Sequence, residues 1–319
     1  MSNKISGLHH VTALTSDAQK NVDFYTGILG LRLVKKTINF DAPDVYHLYY
    51  GDEHGNPGSI LTFFPFHGMI KGRKGKGQLT VTSFSIPEGS IDYWTKRLIR
   101  FKIPFENPQE RFDDEIVIYF EDFDGLGVEL IANKTDNREG FTYGHIPLEY
   151  SVKGFYSVTL SEDGYERTAG LLTEQMDHKL AGEKGNRFRF TASGKAGGFV
   201  DILCSPEVLY GTGGSGTVHH VAFATMNDVT QLEFREKLLS SGIVNPTPVI
   251  DRQYFHSLYF REPGGILFEA ATSDIGFTLD ESAEHLGENL KLPAWEEKNR
   301  IEIEKILTPL KLNINKFRD

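Results

Sequence analysis

A unit of about fifty residues that repeats four times is the feature that most constrains the fold of this chain. In each unit the sequence predicts one strand, then one helix, then three further strands. The first strands are predicted at residues 7–14, 78–86, 154–160 and 218–224. We therefore predict an α+β fold of four βαβββ modules, which form two domains of curved mixed sheets with the helices outside.

One amphipathic helix is predicted in each module, because apolar residues recur there at helical spacing. Ser16 and Asp17 can cap the first helix, and Gly30 ends it. The predicted spans are 21–29, 90–101, 165–176 and 227–241. A further helix with Glu/Lys pairs on its polar face is predicted at 295–307.

The segment 135–150 is polar and rich in residues that break regular structure, including Gly140 and Pro147. A chain of 319 residues is long enough for two domains, each with its own core. We place the linker in this segment. The prediction is an N-terminal domain at 1–140 and a C-terminal domain with a helical tail at 150–319, with two modules in each.

Charge and cysteine content argue against several classes of partner. The formal net charge of −10 gives no electrostatic basis for binding nucleic acid or an anionic membrane. Cys204 is the only cysteine, so no intramolecular disulfide can form, which fits a reducing compartment. No apolar run approaches the roughly 20 residues of a membrane span, and the N-terminus lacks the apolar region of a signal peptide. We expect a cytoplasmic protein, and a homo-oligomer is compatible with the sequence.

A doubled histidine opens the first strand of two modules. His9 and His10 open the first module, and His219 and His220 open the fourth. The fourth module ends in a predicted strand that carries one carboxylate, Glu269. Two histidines and a carboxylate are the usual facial ligand set of a non-haem Fe(II) site.

Comparison of corresponding positions in the four modules predicts a single metal site. In the first strand, His10 and His220 correspond to Thr80 or Thr82 and to Ser157 in the middle modules. In the last strand the corresponding residues, in module order, are Phe63, Glu129, Asp201 and Glu269. Only the first and fourth modules supply histidine, so we predict that these two modules pair around one metal ion.

Strand alternation leaves one choice open, because His9 and His10 point to opposite faces, as do His219 and His220. Glu269 stands among apolar residues, where an uncompensated carboxylate is costly to bury, and a metal ion would supply the missing charge. Glu129 has similar neighbours but no histidine in its module. We interpret Glu129 as a remnant of the repeat that pairs with an Arg or Lys.

Several motifs resemble the vicinal oxygen chelate (glyoxalase/bleomycin-resistance/extradiol dioxygenase) superfamily over nearly the whole chain. They are the segment 8–12, the helix end at 24–31 and the segment 262–269. The ordered set of 34–37, 46–49, 58–65 and 219–223 resembles, more narrowly, the hydroquinone-type ring-cleaving dioxygenases. That branch includes the chlorohydroquinone dioxygenase of pentachlorophenol breakdown and quinone-induced dioxygenases of Gram-positive bacteria.

The resemblance implies a ligand set and a reaction. It implies that His10, His220 and Glu269 bind Fe(II), with Mn(II) or another divalent metal as the alternative, and that a small aromatic substrate reacts with O2. It also implies a catalytic pocket around the metal, formed by His9, Thr12, His219, Arg252, Tyr259 and His256. His256 is three residues from Tyr259 along a strand, so alternation turns its side chain away.

Two other functions remain open on the sequence alone. A glyoxalase-type isomerase or thiol transferase would use Ni, Zn or Mn and a second carboxylate ligand, which only Glu129 could supply. A non-catalytic protein that binds an aromatic compound between the modules would not need three metal ligands.

Overall fold

The computed structural model describes residues 5–112 and 114–318. Its first half contains two modules with the predicted order of elements. The first consists of β1 (Leu8–Thr15), α1 (Ala18–Val22), β2 (Arg32–Asn39), β3 (Ala42–Gly51) and β4 (Ile60–Pro65). The second consists of β5 (Gln78–Pro87), α2 (Ile91–Arg100), β6 (Gln109–Arg111), β7 (Glu115–Glu121) and β8 (Gly127–Asn133).

The second half repeats this order and adds a tail. The third module consists of β9 (Gly154–Glu162), α3 (Glu166–Gly170), β10 (Lys179–Lys184), β11 (Arg187–Thr191) and β12 (Phe199–Cys204). The fourth consists of β13 (Thr217–Thr225), α4 (Asp228–Ser241), β14 (Ile250–Asp251), β15 (His256–Arg261) and β16 (Leu267–Thr272). The tail contains α5 (Arg300–Ile306). The predicted α+β fold of four βαβββ modules is confirmed.

Some local features are not located by the sequence. Three strands after the helix are predicted in every module, but β6 and β10 could not be placed, because their residues are polar and mostly exposed at a sheet edge and lack an apolar alternation. The helices α1 and α3 are short and continue as π-helices at Asp23–Ile28 and Leu171–Gln175. Short 3₁₀ turns lie at Leu148–Tyr150, Phe277–Leu279, Ala283–His285, Glu297–Asn299 and Ile314–Phe317.

The strands form two curved eight-stranded sheets, and each sheet joins modules from both halves of the chain. The first has the order β14-β15-β16-β13-β1-β4-β3-β2, so β1 pairs antiparallel with β13. The second has the order β10-β11-β12-β9-β5-β8-β7-β6. The first module therefore pairs with the fourth, as predicted, and the second with the third. The division into domains at 1–140 and 150–319 stays a sequence-based prediction.

Strand register corrects the module comparison by one residue at two positions. Glu269 lies opposite Ala222, which is two residues after His220, and Thr62 lies opposite Thr12, which is two residues after His10. Thr62, and not Phe63, therefore corresponds to Glu269. In the second sheet Glu129 lies opposite Ser83, so Val81, and not Thr80 or Thr82, corresponds to His10. A shift of one residue moves a side chain to the other face, and Phe63 is fully buried in the core.

The helices pack their apolar sides onto the sheets, while the concave faces carry polar side chains. The helix α2 buries Trp94 and Leu98, and α4 buries Phe234 and Leu238. A cluster of buried apolar residues runs through all four modules. In the described part of the chain no helix combines the length and apolar character required to cross a bilayer.

Polar contacts join consecutive modules at their boundaries. Tyr25 of the first module donates a hydrogen bond to Asp122 of the second over 3.0 Å. Thr168 of the third module lies with its hydroxyl 2.6 Å from a carboxylate oxygen of Glu162 and 2.6 Å from one of Glu262 in the fourth. The boundary between the third and fourth modules thus holds two buried carboxylates around one hydroxyl group.

Candidate metal centre

Side chains from β1, β13 and β16 converge on the concave face of the first sheet. The Nε2 atom of His10 lies 3.2 Å from Nε2 of His220, and Glu269 Oε2 lies 3.3 Å and 3.0 Å from these two atoms. Two donor atoms that each lie about 2.1 Å from a metal ion, at right angles, are about 3 Å apart. The three atoms therefore have the spacing of ligands on one face of an octahedral ion.

The charge of Glu269 is incompletely compensated. Glu269 is fully buried; its Oε1 accepts a hydrogen bond from Ser257, and its Oε2 has no well-aligned donor. Burial opposes ionisation of this carboxyl group, but His10 and His220 hold its pKa well below the usual range. Burial also lowers the pKa of His220, which favours its neutral form. A buried carboxylate with one oxygen that lacks an aligned donor suits a bound cation.

The first histidine pair forms a chain that fixes the tautomer of His10. His9 Nε2 lies 3.1 Å from the carbonyl oxygen of Thr272, which can only accept, so this nitrogen carries a proton. Burial lowers the pKa of His9 to about 3, so its ring is neutral and its Nδ1 is an acceptor. His10 Nδ1 lies 2.9 Å away and donates to it. The Nε2 atom of His10 therefore faces Glu269 and His220, and in the neutral tautomer that this contact favours it carries the lone pair.

His219 and His220 make the same contact between Nδ1 atoms, but the first histidine of this pair has different surroundings. The Nδ1 atoms of His219 and His220 are 2.7 Å apart. Unlike buried His9, His219 is an exposed residue and borders a cavity beside the site. In both pairs the second histidine turns Nε2 inward and the first contacts its Nδ1. This geometry resolves the choice that alternation left open in favour of His10 and His220 as the converging residues.

The cavity has a volume of about 360 Å³ and mostly aromatic walls. Phe64 and Phe255 contribute two of the rings, and the Phe255 ring centroid lies 4.9 Å from that of His10. Arg252 enters from the loop before β15, where its Nε lies 3.3 Å from the Tyr259 hydroxyl and its Nη1 lies 3.2 Å from Asp41. A flat aromatic molecule of modest size fits such a site.

The sequence-predicted pocket residues occupy three kinds of position. His219, Arg252 and Tyr259 border the cavity. His9 and Thr12 are buried behind it, where they contact His10 and Thr62. His256 is not brought to the cavity. Its Nδ1 lies 2.6 Å from Asp228 on α4, on the opposite face of β15 from Tyr259, so we leave it out of the proposed site.

Sequence reasoning did not assign His47, Tyr49 and Thr62 to the site. His47 Nε2 lies 2.8 Å from the Thr62 hydroxyl, and His47 Nδ1 lies 2.8 Å from the Tyr49 hydroxyl. Burial, with the nearby His10 and His220, holds the pKa of His47 well below its usual value. Alternation along β3 puts His47 and Tyr49 on one face of the sheet. Tyr49 lies opposite Thr62, so the correct register of Thr62 would have shown that this face is the one that carries the site.

On the corresponding face of the second sheet, arginines from β6 and β11 contact the carboxylates in place of histidines. Arg111 forms two hydrogen bonds to Glu129, of 2.6 and 2.7 Å, which confirms the predicted pairing of Glu129 with a basic residue. Asp201 is bound by Arg187 and Arg189. In the described residues, His10, His220 and Glu269 form the one cluster of three potential ligands with metal-site spacing.

Comparisons with known proteins agree with this architecture. Residues 7–130 match the model of the Glyoxalase/Bleomycin resistance protein/Dioxygenase superfamily. The chain is 42% identical over 312 residues to MhqO of Bacillus subtilis (strain 168), which carries the provisional name ring-cleaving dioxygenase, with 98% and 99% of the two chains covered. It is 35% identical over 295 residues to the chlorohydroquinone/hydroquinone 1,2-dioxygenase of Sphingobium indicum, with 91% and 92% covered.

Solved structures give the same result. A crystal structure from Bacillus subtilis, provisionally named a dioxygenase, superposes with a TM-score of 0.93 at 41% identity and covers 98% of this chain and 99% of that one. Glyoxalase I from Zea mays has a TM-score of 0.63 at 16% identity, covers 89% and 96%, and shares the fold. The chain belongs to the glyoxalase/bleomycin resistance protein/dioxygenase superfamily.

Proposed function

We propose that this protein is an Fe(II)-dependent, extradiol-type ring-cleaving dioxygenase that inserts O2 into a hydroquinone-like or catechol-like aromatic, in the detoxification or degradation of such compounds. One observation carries the proposal. His10, His220 and Glu269 meet at ligand spacing beside a cavity with aromatic walls. The names of the relatives support the reaction class, and the donor set of two imidazoles and one carboxylate suits iron, with Mn(II) as the alternative.

In this proposal His10, His220 and Glu269 hold the metal, which when bound supplies a Lewis acid and a redox centre for a phenolic substrate and O2. The remaining steps belong to the protein. Phe64 and Phe255 pack against the substrate ring and exclude water. Both oxygen atoms of O2 end in the ring-opened acid.

Three side chains at the cavity can act on oxygen atoms of the substrate. Burial raises the pKa of Tyr259, so its hydroxyl keeps its proton and can donate a hydrogen bond. The guanidinium of Arg252 can stabilise a phenolate or another oxyanion. His219, at the exposed edge, is the candidate for exchanging a proton with solvent.

The alternative functions have less support. A glyoxalase-type isomerase or thiol transferase with a second carboxylate ligand would need Glu129, which lies in the second sheet and is bound to Arg111. A non-catalytic aromatic-binding protein would not require three ligand atoms at 3.0–3.3 Å from one another.

The test is anaerobic reconstitution with Fe(II), followed by oxygen uptake with panels of hydroquinones and catechols. We expect iron-dependent uptake with a hydroquinone and a ring-opened product by mass spectrometry. Glu269→Gln should lose iron and activity together, and the matched Glu129→Gln should keep both. Tight iron binding without uptake on either panel would contradict the dioxygenase proposal, and full iron content in Glu269→Gln would contradict the ligand assignment.

A further inference from the structure

A second cavity, of about 680 Å³, lies away from the candidate metal centre and shares no lining residue with the cavity there. Its walls come from β2, from residues 141–143 and from the tail segments 283–288 and 310–312. Segments that are distant in sequence thus meet around one space. Its volume is within the range of small-molecule sites.

Arg32 provides a buried positive charge in this cavity. Only 8% of the residue is exposed. Its two terminal nitrogens donate to the backbone carbonyl oxygens of Glu53 and Glu284, over 2.5 and 2.9 Å. A guanidinium has five N–H groups, and no carboxylate of the described residues lies within 4.0 Å of this one. The hydrogen bonds of this buried cation go to carbonyl oxygens, and the Glu284 carboxylate, which interacts with it electrostatically, is exposed, so the guanidinium lacks a directly bound counter-charge.

Two lysines add positive charge to the same space. Lys36, four residues after Arg32 on β2, is half-buried, and its Nζ donates to the carbonyl oxygen of Glu288 over 3.2 Å. Burial lowers the pKa of Lys36, and the charge of Glu281 opposes this shift only in part. Lys311 stands at the rim. The three carboxylates of the lining residues are largely in water, since Glu284 is exposed and the Glu53 and Glu288 side chains are 67% and 60% exposed.

The rest of the wall is apolar and aromatic. Phe141 and Tyr143 form an edge-to-face pair with ring centroids 4.9 Å apart, and the Arg32 guanidinium lies 5.8 Å from the Phe141 centroid. Leu286 and Leu310 line the cavity beside them. A flat apolar body can therefore pack there while an acidic group reaches the guanidinium.

We propose that this cavity is a binding site for a small aromatic carboxylate. The carboxylate would accept hydrogen bonds from Arg32 and Lys36, and the ring would pack against Phe141 and Tyr143. An aromatic carboxylate is favoured over inorganic phosphate because much of the wall is apolar and would gain nothing from a fully hydrated ion. The site does not depend on the metal centre or on the proposed reaction.

The first test is calorimetric titration of the full-length protein with benzoate, in a metal-free Glu269→Gln background so that benzoate cannot bind a metal ion at the other site. We expect saturable binding of one benzoate, and no binding of benzyl alcohol, which keeps the ring but lacks the charge. Loss of one charged hydrogen-bond partner in Lys36→Gln should weaken binding by about tenfold. Lys20→Gln should bind like its parent, because the Lys20 side chain is 68% exposed and does not line the cavity.

The second test locates the ligand. Crystals of the same protein grown with 4-bromobenzoate should show an anomalous bromine signal near Phe141. Lys36→Gln retains a partly exposed side chain at its position, so a folding failure is not expected, and Arg32→Gln can be added if it folds. Equal affinities for benzoate and benzyl alcohol, an unchanged affinity in Lys36→Gln, tighter binding of phosphate than of benzoate, or a bromine signal elsewhere would each overturn the proposal.

Discussion

His9 and His10 face each other through their Nδ1 atoms, 2.9 Å apart, although they are adjacent in sequence on opposite faces of a strand. A register irregularity between Leu8 and His10 in the pairing of β1 with β13 accompanies this arrangement. The carbonyl oxygen of Thr272 holds the far side of the His9 ring. The orientation of one candidate ligand thus depends on a neighbour that does not border the cavity.

Replacement of His9 should therefore weaken metal binding without removing a ligand. His9→Phe keeps a ring against Phe255 but cannot accept the proton of His10 Nδ1. We expect the affinity for Fe(II) or Mn(II) to fall by about 10–100-fold, the range found when such supporting partners are lost. Chelator competition measures this, and His54→Phe, at an exposed position, serves as the control. An unchanged affinity would show that the contact between the two rings has no role in metal binding.

Replacement of Tyr259 should separate metal binding from the reaction. Tyr259→Phe removes the hydroxyl that lies 3.3 Å from Arg252 Nε, while the aromatic ring remains beside His220. If the proposed function holds, kcat should fall by about 10² or more with a normal metal content. Tyr119→Phe is the matched control, because Tyr119 lies opposite Glu129 in the second sheet as Tyr259 lies opposite Glu269 in the first. Loss of metal in Tyr259→Phe would point instead to a structural role.

The boundary between the third and fourth modules should make stability depend on pH. Burial, with the nearby Glu262, raises the pKa of Glu162 to about 8 from the ordinary 4.5, and Asp163 and Arg167 are the other charged groups beside it. The folded protein then binds a proton that the unfolded chain releases between these values. The free energy of unfolding should accordingly fall as the pH rises from about 5 to 8.

Glu162→Gln tests this dependence, because the amide is neutral throughout. In denaturant titrations at several pH values, the free energy of unfolding of the variant should fall less between pH 5 and 8 than that of the parent. Above pH 8 the variant should be the more stable of the two. Glu166→Gln, on the exposed side of α3, should keep the parent slope. If the parent and Glu162→Gln have parallel profiles, Glu162 does not hold a proton in the folded protein.

A fourth prediction concerns the attachment of the tail. Lys35 on β2 is fully buried, and its Nζ lies 2.5 Å from carboxylate oxygens of both Asp280 and Glu281. Lys35→Met would leave Glu281 buried without its partner, which should cost about 3 kcal/mol of unfolding free energy. Lys74→Met, which breaks the more exposed pair with Glu121, should cost less than about 1 kcal/mol. Equal costs would contradict the assigned role of burial.

The approach of His10, His220 and Glu269 could be predicted because it follows from repetition. Equivalent modules place equivalent strands at equivalent positions, so two histidines and a carboxylate at matching places had to meet if the first and fourth modules pair. Phe63 was misassigned because an apolar strand buried on both faces gives no alternation to fix its register. The pairing of β1 with β4 supplied that register and put Thr62 on the concave face.

Other parts of the site depend on contacts between distant segments. Phe255 reaches His10 from a loop that Asp280 holds through the hydroxyl of Tyr254, 2.9 Å away. Such a link joins residues from different elements and leaves no local pattern. The continuation of α1 as a π-helix is likewise not predicted, because a six-residue π segment is too short to give an apolar spacing of its own.

The pairing of the first module with the last has a consequence for the order of events during synthesis. The second sheet needs only the middle of the chain, from β5 to β12, and can close early. The candidate metal centre must wait until β16 has been made, because Glu269 is separated from His10 by nearly the whole chain. If His10, His220 and Glu269 bind a metal ion as proposed, a nascent chain that ends before β16 has the strands of the second sheet and still lacks one of the three ligands.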